Sequence, residues 1–306
     1  MRVFITGASG FIGSAVVQEL RGAGHEVVGL ARSDASAEAL ADAGALVHRG
    51  SLEDLDSLRS GAQASDGVIH LGYIHDFSKM ADNVRVDRAA IEALGGALAG
   101  SDRPLVIANG TLFLAPAGRT ATEADTGDPS DEAVGGRRRN EQLLLSLAER
   151  GVRSASVRLT PTVHGEGDHG FVPIIIGVAR EKGVSGYVGD GSNRWPAVHR
   201  LDAARLFRFA LESAPAGTVL HAVAEEGVPT REIAEAIGRA LEIPVSPVAP
   251  EAALEHFGFL GALFGVDSPA SSALTRERFG WEPEQPGLIE DLEAGHYFRT
   301  AAAAAS

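Results

Sequence analysis

The sequence predicts an α/β protein, a doubly wound parallel sheet with a smaller C-terminal substrate domain. Arg2–Thr6 read as a short β-branched strand, and Gly7, Gly10 and Gly13 then lead into apolar residues at helical spacing (Phe11, Ile12, Ala15, Val16, Leu20). Strand-like and helix-like stretches alternate from there to Leu159, which demands parallel pairing with right-handed crossovers. Beyond Pro161 the elements shorten and Gly and Pro become more frequent. The expected division is 1–160 as the nucleotide-type domain, with 197–222 returning to it, and 161–196 plus 223–306 as the smaller substrate-binding region.

Composition narrows the function. At 306 residues and 44% hydrophobic, the chain can bury a large core. A formal net charge of −14 argues against a nucleic-acid partner, the basic run Arg137-Arg138-Arg139 being short. The chain has no cysteine, which excludes disulfides, thiolate metal sites and a cysteine nucleophile. Gly7, Ser9 and Gly10 interrupt any apolar leader, and no apolar run nears the ~18 residues a membrane span needs. A cytoplasmic location without a membrane partner is expected. Lys79 and Lys182 are the only lysines.

The glycine turn carries most of the functional signal. Gly7 permits the tight turn, Gly10 removes a side chain where a pyrophosphate would approach, and Gly13 lets the helix pack on its strand. The helix N-terminus then faces an anion, and a dinucleotide is the natural ligand. The second strand spans 26–31 and is followed by Arg32 and Ser33 where an acid would grip a ribose 2′-hydroxyl. These residues suit a 2′-phosphate and favour NADP, with NAD possible; a solvated arginine at a strand end is the plainer alternative.

A helix at 35–43, a strand at 45–48 and a helix at 55–60 come next, Asp54 reading as an N-cap. The strand 67–71 contains His70, which reads first as a satisfied core residue, while His75 and Asp76 in the following loop suit substrate. A helix at 79–99 and a strand at 105–108 lead into a long acidic loop, Gly110 to Val134, placed to cover substrate. After a helix at 137–150 and a strand at 152–159, the C-terminal half is expected to hold helices at 171–181, 201–212 and 230–241 and strands at 186–189 and 218–223. The apolar cluster Phe257 to Phe264 reads as a pocket wall or as plain core, and 301–306 as a frayed tail.

The spacing Thr-Gly-x-x-Gly-x-x-Gly resembles the short-chain dehydrogenase/reductase superfamily, in its extended and atypical epimerase/dehydratase-like branches. Asp66-Gly-Val-Ile-His-Leu-Gly72, Val157-Arg-Leu-Thr-Pro-Thr-Val-His-Gly-Glu-Gly-Asp168 and Ala197-Val-His-Arg-Leu-Asp202 carry the same resemblance across most of the chain. It implies a Rossmann domain in which Thr6, Gly7, Gly10, Phe11, Ile12 and Gly13 meet the cofactor with Arg32 and Ser33. Ser51 and Leu52 would flank the adenine, His70, Leu71 and Gly72 would pass beneath the cofactor, and Asn109, Arg137, Pro161 and Val163 would complete its site. It also implies a homodimer through the helix bearing Ile91, Leu94 and Leu98 and the helix at 137–150; the alternative is that both stripes only cover the sheet.

The resemblance breaks at the catalytic residues. Such enzymes supply a proton donor and a cation as Tyr-x-x-x-Lys, yet Tyr73, Tyr187 and Tyr297 all lack a lysine four residues on. Matching the family's glutamate to Glu141 puts Arg137 at the lysine position and Ala133 at the tyrosine position; Asn109 matches the serine at the strand end, with Thr111 just beyond. Arginine can hold a ribose but cannot donate a proton at neutral pH. Replacement donors are therefore sought in His75, Thr111, His164 and Tyr187. His75, Asp76, Thr111, Tyr187, Trp195 and His199 are substrate candidates. Three arginines at a helix start need anionic compensation, from a ligand or from Glu123, Asp125, Asp128, Asp131 and Glu132.

The expected activity is NADP(H)-dependent hydride transfer to or from a small ketone, aldehyde, imine or enone. One alternative is a catalytically inactive nicotinamide-sensing regulator. Another is a sugar-nucleotide epimerase or dehydratase, which needs cations for a second diphosphate and finds Arg194 and Arg200. His164-Gly-Glu-Gly-Asp-His169 has metal-ligand composition, but it matches the family's glycine-rich loop and no metal is expected. No Gly-x-Ser-x-Gly elbow supports a hydrolase.

Overall fold

The structure, a computed structural model, describes residues 1–76, 79–116, 118–131 and 134–299. Ala133, Glu132 and the tail 301–306 lie outside them. Six strands come first: β1 (Arg2–Thr6), β2 (Glu26–Ala31), β3 (Leu46–Arg49), β4 (Gly67–His70), β5 (Pro104–Gly110) and β6 (Arg153–Leu159). Six more follow: β7 (Thr162–His164), β8 (Ser185–Val188), β9 (Arg194–His199), β10 (Thr218–Ala222), β11 (Glu225–Pro229) and β12 (Val245–Val248). The large sheet has seven strands in the order β3-β2-β1-β4-β5-β6-β10, every neighbouring pair parallel.

The helices flanking it are α1 (Phe11–Gly22), α2 (Asp34–Asp42), α3 (Leu55–Gln63), α4 (Met80–Leu98) and α5 (Gly135–Ser146). Further on come α6 (Phe171–Lys182), α7 (Arg200–Ser213), α8 (Thr230–Leu241), α9 (Ala253–Phe257), α10 (Gly261–Phe264), α11 (Ala273–Phe279) and α12 (Leu288–Glu293). Side chains on β1 alternate between two layers, as a strand covered on both faces must. Val3 and Ile5 join the core under α1 and α7, and Phe4 joins the core under α3, α4 and α5. Ile91, Leu94 and Leu98 are fully buried in that second core within one chain, so this stripe covers the sheet.

Within 197–222, α7 packs along α1 and β10 extends the sheet beside β6. The rest of the C-terminal half has its own core, in which Trp195, Ile233, Ile237, Phe257, Leu260 and Phe264 meet between α6, α8 and α12. The Phe257 to Phe264 stretch is thus mostly packing, with Phe259 alone among its aromatics turned to solvent. Two small sheets, β11-β9-β7 and β12-β8, complete this half. The expected helix at 137–150 begins two residues earlier and tightens after Ser146 into a 3₁₀ turn, Leu147–Arg150, closed by Gly151 at φ +68°. Among the described residues no helix is long and apolar enough to cross a membrane.

Candidate functional site

The chain leaves β1 at Thr6 and turns at Gly7, whose φ is +70°. A Cβ there would lie 2.7 Å from the Gly72 nitrogen, and a Cβ on Gly13 would lie 2.0 Å from the Gly7 carbonyl oxygen. Backbone approaches this close fix glycine at both positions. Gly10 begins α1 without any side-chain cap, so the first N–H groups of the helix stay available to an anion.

Beside the turn a chain of hydrogen bonds runs into the core. The Gly72 N–H donates to Thr6 Oγ1 (3.1 Å), which donates to His70 Nδ1 (2.6 Å). His70 Nε2 donates to Asp87 (3.3 Å), and the other Asp87 oxygen accepts from Asn140 Nδ2 (2.7 Å). Donors and acceptors alternate only if His70 carries its proton on Nε2. Burial pushes the Asp87 carboxyl up, but the bonds from His70 and Asn140 and the charge of Arg137 hold it below its ordinary value. The His70 ring is therefore a core brace with both nitrogens occupied, and only its backbone remains for a cofactor.

At the end of β2, Arg32 is exposed, with no ion-pair partner among the described residues. Ser33 is the N-cap of α2, its hydroxyl accepting from the Ser36 N–H at 3.2 Å. Asp34, the nearest acid, is paired with Arg49 at 2.7 Å, and Arg49 lies beside Ala31 in register. Leu52 lies against Gly72, where an added Cβ would meet its Cδ2 at 2.9 Å, so it reaches the glycine turn with partly buried Ser51 just before it. Leu71 donates its N–H to the Thr6 carbonyl at 3.1 Å.

Arg137 organises the other half of the site. Its Nη2 donates to the Ala108 carbonyl (2.7 Å), its own carbonyl accepts from Asn109 Nδ2 (3.3 Å), and its Cζ lies 4.2 Å from the Tyr73 ring centre. The His75 ring packs edge-on against Tyr73 at 5.2 Å and is exposed. Partial burial and then the Arg137 charge lower the His75 pKa. Burial raises the Tyr73 phenol, with Arg137 opposing. The hydroxyls of Tyr73 and Thr111 are both buried, and among the described residues neither finds an acceptor. Asn109, Arg137, Tyr73 and His75 thus meet at the C-terminal ends of β4 and β5. Tyr73 was missed in the sequence because its cation lies far downstream in the chain; its place two residues before His75 was the available signal.

On the opposite side of the glycine turn, the Phe11 ring meets the His169 ring at 5.8 Å and Arg200 Cζ at 5.2 Å. Arg200 Nε is buried without a hydrogen-bond partner among the described residues. By contrast, Arg194 is bound through two nitrogens to Asp267 (3.0 and 2.9 Å).

Several other expected site residues are engaged within the fold. His164 is fully buried, its Nδ1 paired with Asp291 at 2.8 Å, so it has no route to a substrate proton. His199 caps α7, its Nδ1 accepting from the Leu201 N–H at 3.2 Å, with its ring against His164. Trp195 is fully buried against Phe264 and donates to the Val266 carbonyl at 3.2 Å, making it core. Tyr187 is buried on β8 with Arg231 above its ring. Asp76 lies in the loop four residues before α4, its carbonyl accepting from Lys79 N and Asn83 Nδ2, and its carboxylate lies 3.8 Å from Lys79 Nζ. Val163 packs on the large core, with partly buried Pro161 two residues before it.

The three arginines at the start of α5 are matched by carbonyl oxygens. Arg138 donates to Gly110 and Leu112 (2.8 and 2.6 Å), and burial lowers its pKa to about 10. Arg139 donates to the Pro129 carbonyl. Of the loop acids, Glu123 accepts from Thr275, Asp125 pairs with Arg119, Asp128 accepts from Ser130 and Asp131 from the Val134 N–H. Among the described residues no group of three or more His, Asp or Glu could hold a metal ion. In the 164–169 stretch, His164 turns to Asp291, Asp168 to Tyr297 and His169 to Phe11.

A parallel sheet with a glycine turn feeding an uncapped helix N-terminus defines a dinucleotide-binding α/β protein. Residues 3–223 match the NAD dependent epimerase/dehydratase family, and the chain belongs to it. It is 50% identical to "Uncharacterized protein C2A9.02" of Schizosaccharomyces pombe and 48% identical to "Uncharacterized protein YLL056C" of Saccharomyces cerevisiae. Each match covers 97% of this chain, with 100% and 99% of the respective relative. The dTDP-glucose 4,6-dehydratase DesIV of Streptomyces venezuelae, solved with NAD and TYD bound, shares the fold: TM-score 0.80 at 18% identity, covering 99% of this chain and 98% of that one.

Proposed function

We propose that the protein is an NADP(H)-dependent oxidoreductase acting on a small carbonyl-type substrate. The observation that carries this reading is the grouping of Arg137, Tyr73 and Asn109 at the strand ends next to the glycine turn. The uncapped N-terminus of α1 would hold the diphosphate, and Gly10 leaves that approach open, since a Cβ there would meet only the Gly7 oxygen at 3.2 Å. Arg32 would hold the 2′-phosphate, because the competing acid Asp34 is already neutralised by Arg49. When bound, the nicotinamide supplies or accepts the hydride. The chain contributes Arg137 as a fixed cation near the reacting end, and His75 and Thr111 as polar groups toward the substrate.

The sugar-nucleotide alternative asks for cations to hold a second diphosphate. Arg194 answers poorly, since it is tied to Asp267 in a cavity that also holds Asp190.

Titration with NADPH, NADP+, NADH and NAD+ tests the reading. The phosphorylated pair is expected to bind at least about tenfold more tightly, and Arg32→Asp to erase that preference, as loss of a charged hydrogen bond of about 1.5–3 kcal/mol implies. Unchanged selectivity would remove Arg32 from the site. Binding of none of the four would defeat the oxidoreductase reading, and binding without turnover of any carbonyl would favour the sensor.

A further inference from the structure

We propose that Tyr73 is the proton donor of this site, its phenol set against the Arg137 guanidinium in place of a tyrosine and lysine on one helix. The inference rests on the oxidoreductase reading and deepens it. Arg137 is held in place by its bond to the Ala108 carbonyl, and its Cζ lies 4.2 Å from the Tyr73 ring centre. The Tyr73 hydroxyl is buried, and among the described residues its O–H has no acceptor, since the polar group beside it, the Arg137 guanidinium, only donates. A buried phenol O–H without an acceptor is rare in a folded chain, and a ligand oxygen is the partner that would complete it. The other two tyrosines are committed: Tyr297 donates to Asp168 at 2.9 Å, and Tyr187 lies on β8 under Arg231. Among the described residues Arg137 is the group that lowers the Tyr73 phenol against its burial, by its charge and by a hydrogen bond, so the phenol stays protonated at neutral pH while its phenolate has a cation beside it.

The step balances without a further reactant beyond the dihydronicotinamide. As the carbonyl carbon accepts the hydride, the C=O π electrons form an O–H bond with the Tyr73 proton. The Oη–H bond breaks, and its electrons remain on a phenolate next to Arg137 until a solvent proton, entering past exposed His75, restores it. The carbonyl is reduced to an alcohol and the nicotinamide is oxidised.

Tyr73→Phe keeps the ring against Arg137 and His75 and deletes only the hydroxyl. It is expected to lower kcat with NADPH and small aldehydes or ketones at least about a hundredfold, while the NADPH Kd stays within about twofold. Undiminished turnover in this variant would overturn the proposal. A second measurement needs no cofactor. With 3-fluorotyrosine at the three tyrosine positions, 19F spectra follow each phenol, and Tyr73→Phe assigns the signal. Arg137→Met is expected to move the Tyr73 ionisation to higher pH and leave the Tyr187 and Tyr297 signals in place. An unchanged Tyr73 ionisation would overturn the pairing. Wild-type protein that binds NADPH but reduces no carbonyl would sink the oxidoreductase reading and leave the 19F result to decide the pairing by itself.

Discussion

Gly13 leaves no room for a methyl group, because a Cβ would lie 2.0 Å from the Gly7 oxygen, a backbone atom that cannot swing aside. Gly13→Ala is expected to lever α1 off the turn, cost about 1–3 kcal/mol and weaken NADPH binding with it. Urea unfolding and cofactor titration check this, with Gly22→Ala as the control, since a Cβ at Gly22 meets nothing within 4 Å. A Gly13→Ala protein as stable as the Gly22→Ala control would refute the packing argument. The glycines could be read from the sequence because backbone geometry forces that residue type. Aromatic and imidazole side chains carry no such mark. Trp195 and His164 face inward because Val266 and Asp291 wait for them there, 71 and 127 residues away in the chain. Tyr73 was set aside for the same reason, its cation being supplied by a different element.

At the level of elements, α5 opens with two glycines, then three arginines, and has no side-chain cap, so these cations stand against its own dipole. The compensation is the row of carbonyl oxygens that these arginines bind, and Arg138 alone holds two of them, those of Gly110 and Leu112. Arg138→Met keeps the buried stem and abandons both carbonyls. The expected cost is about 2 kcal/mol, together with faster amide exchange over 110–116 and unchanged exchange in α1. Unchanged exchange in that loop would mean that Arg138 fills space without fastening it. The central strands β1, β2, β4 and β5 were legible because buried parallel strands read as short apolar runs. The strands β7, β9, β11 and β12 were not: Thr162–His164 is three residues long, and Arg194–His199, Glu225–Pro229 and Val245–Val248 each contain a proline. Their pairing comes from partners distant in sequence, so local pattern gives no notice of it.

The two halves of the molecule are joined by a buried polar network around His221 on β10. Its Nδ1 donates to the Ser271 carbonyl at 2.8 Å, and its Nε2 accepts from Arg158 Nη1 at 3.3 Å. Arg158 on β6 is paired through two nitrogens with Glu141 on α5 (2.9 and 2.6 Å), and Glu123 binds Thr275 of α11 close by. Only a neutral imidazole fits, since a proton on Nε2 would confront the guanidinium. Burial first and the Arg158 charge second lower its pKa to about 4, although Glu123, the Ser271 carbonyl and Glu141 pull the other way. An unfolded chain takes up this proton near pH 6.5, so between about 6.5 and 4 the unfolded state binds more protons than the folded one. His221 therefore contributes stability that is complete above that window and lost as pH falls through it, at most about 3 kcal/mol. His221→Asn keeps a donor for Ser271 and cannot titrate. It is expected to be less stable than wild type at pH 7 but to lose less on going to pH 5, as urea midpoints at pH 7, 6 and 5 would register. Equal losses in the two proteins would place the acid sensitivity elsewhere and leave His221 a neutral strut between the sheet and the C-terminal segment.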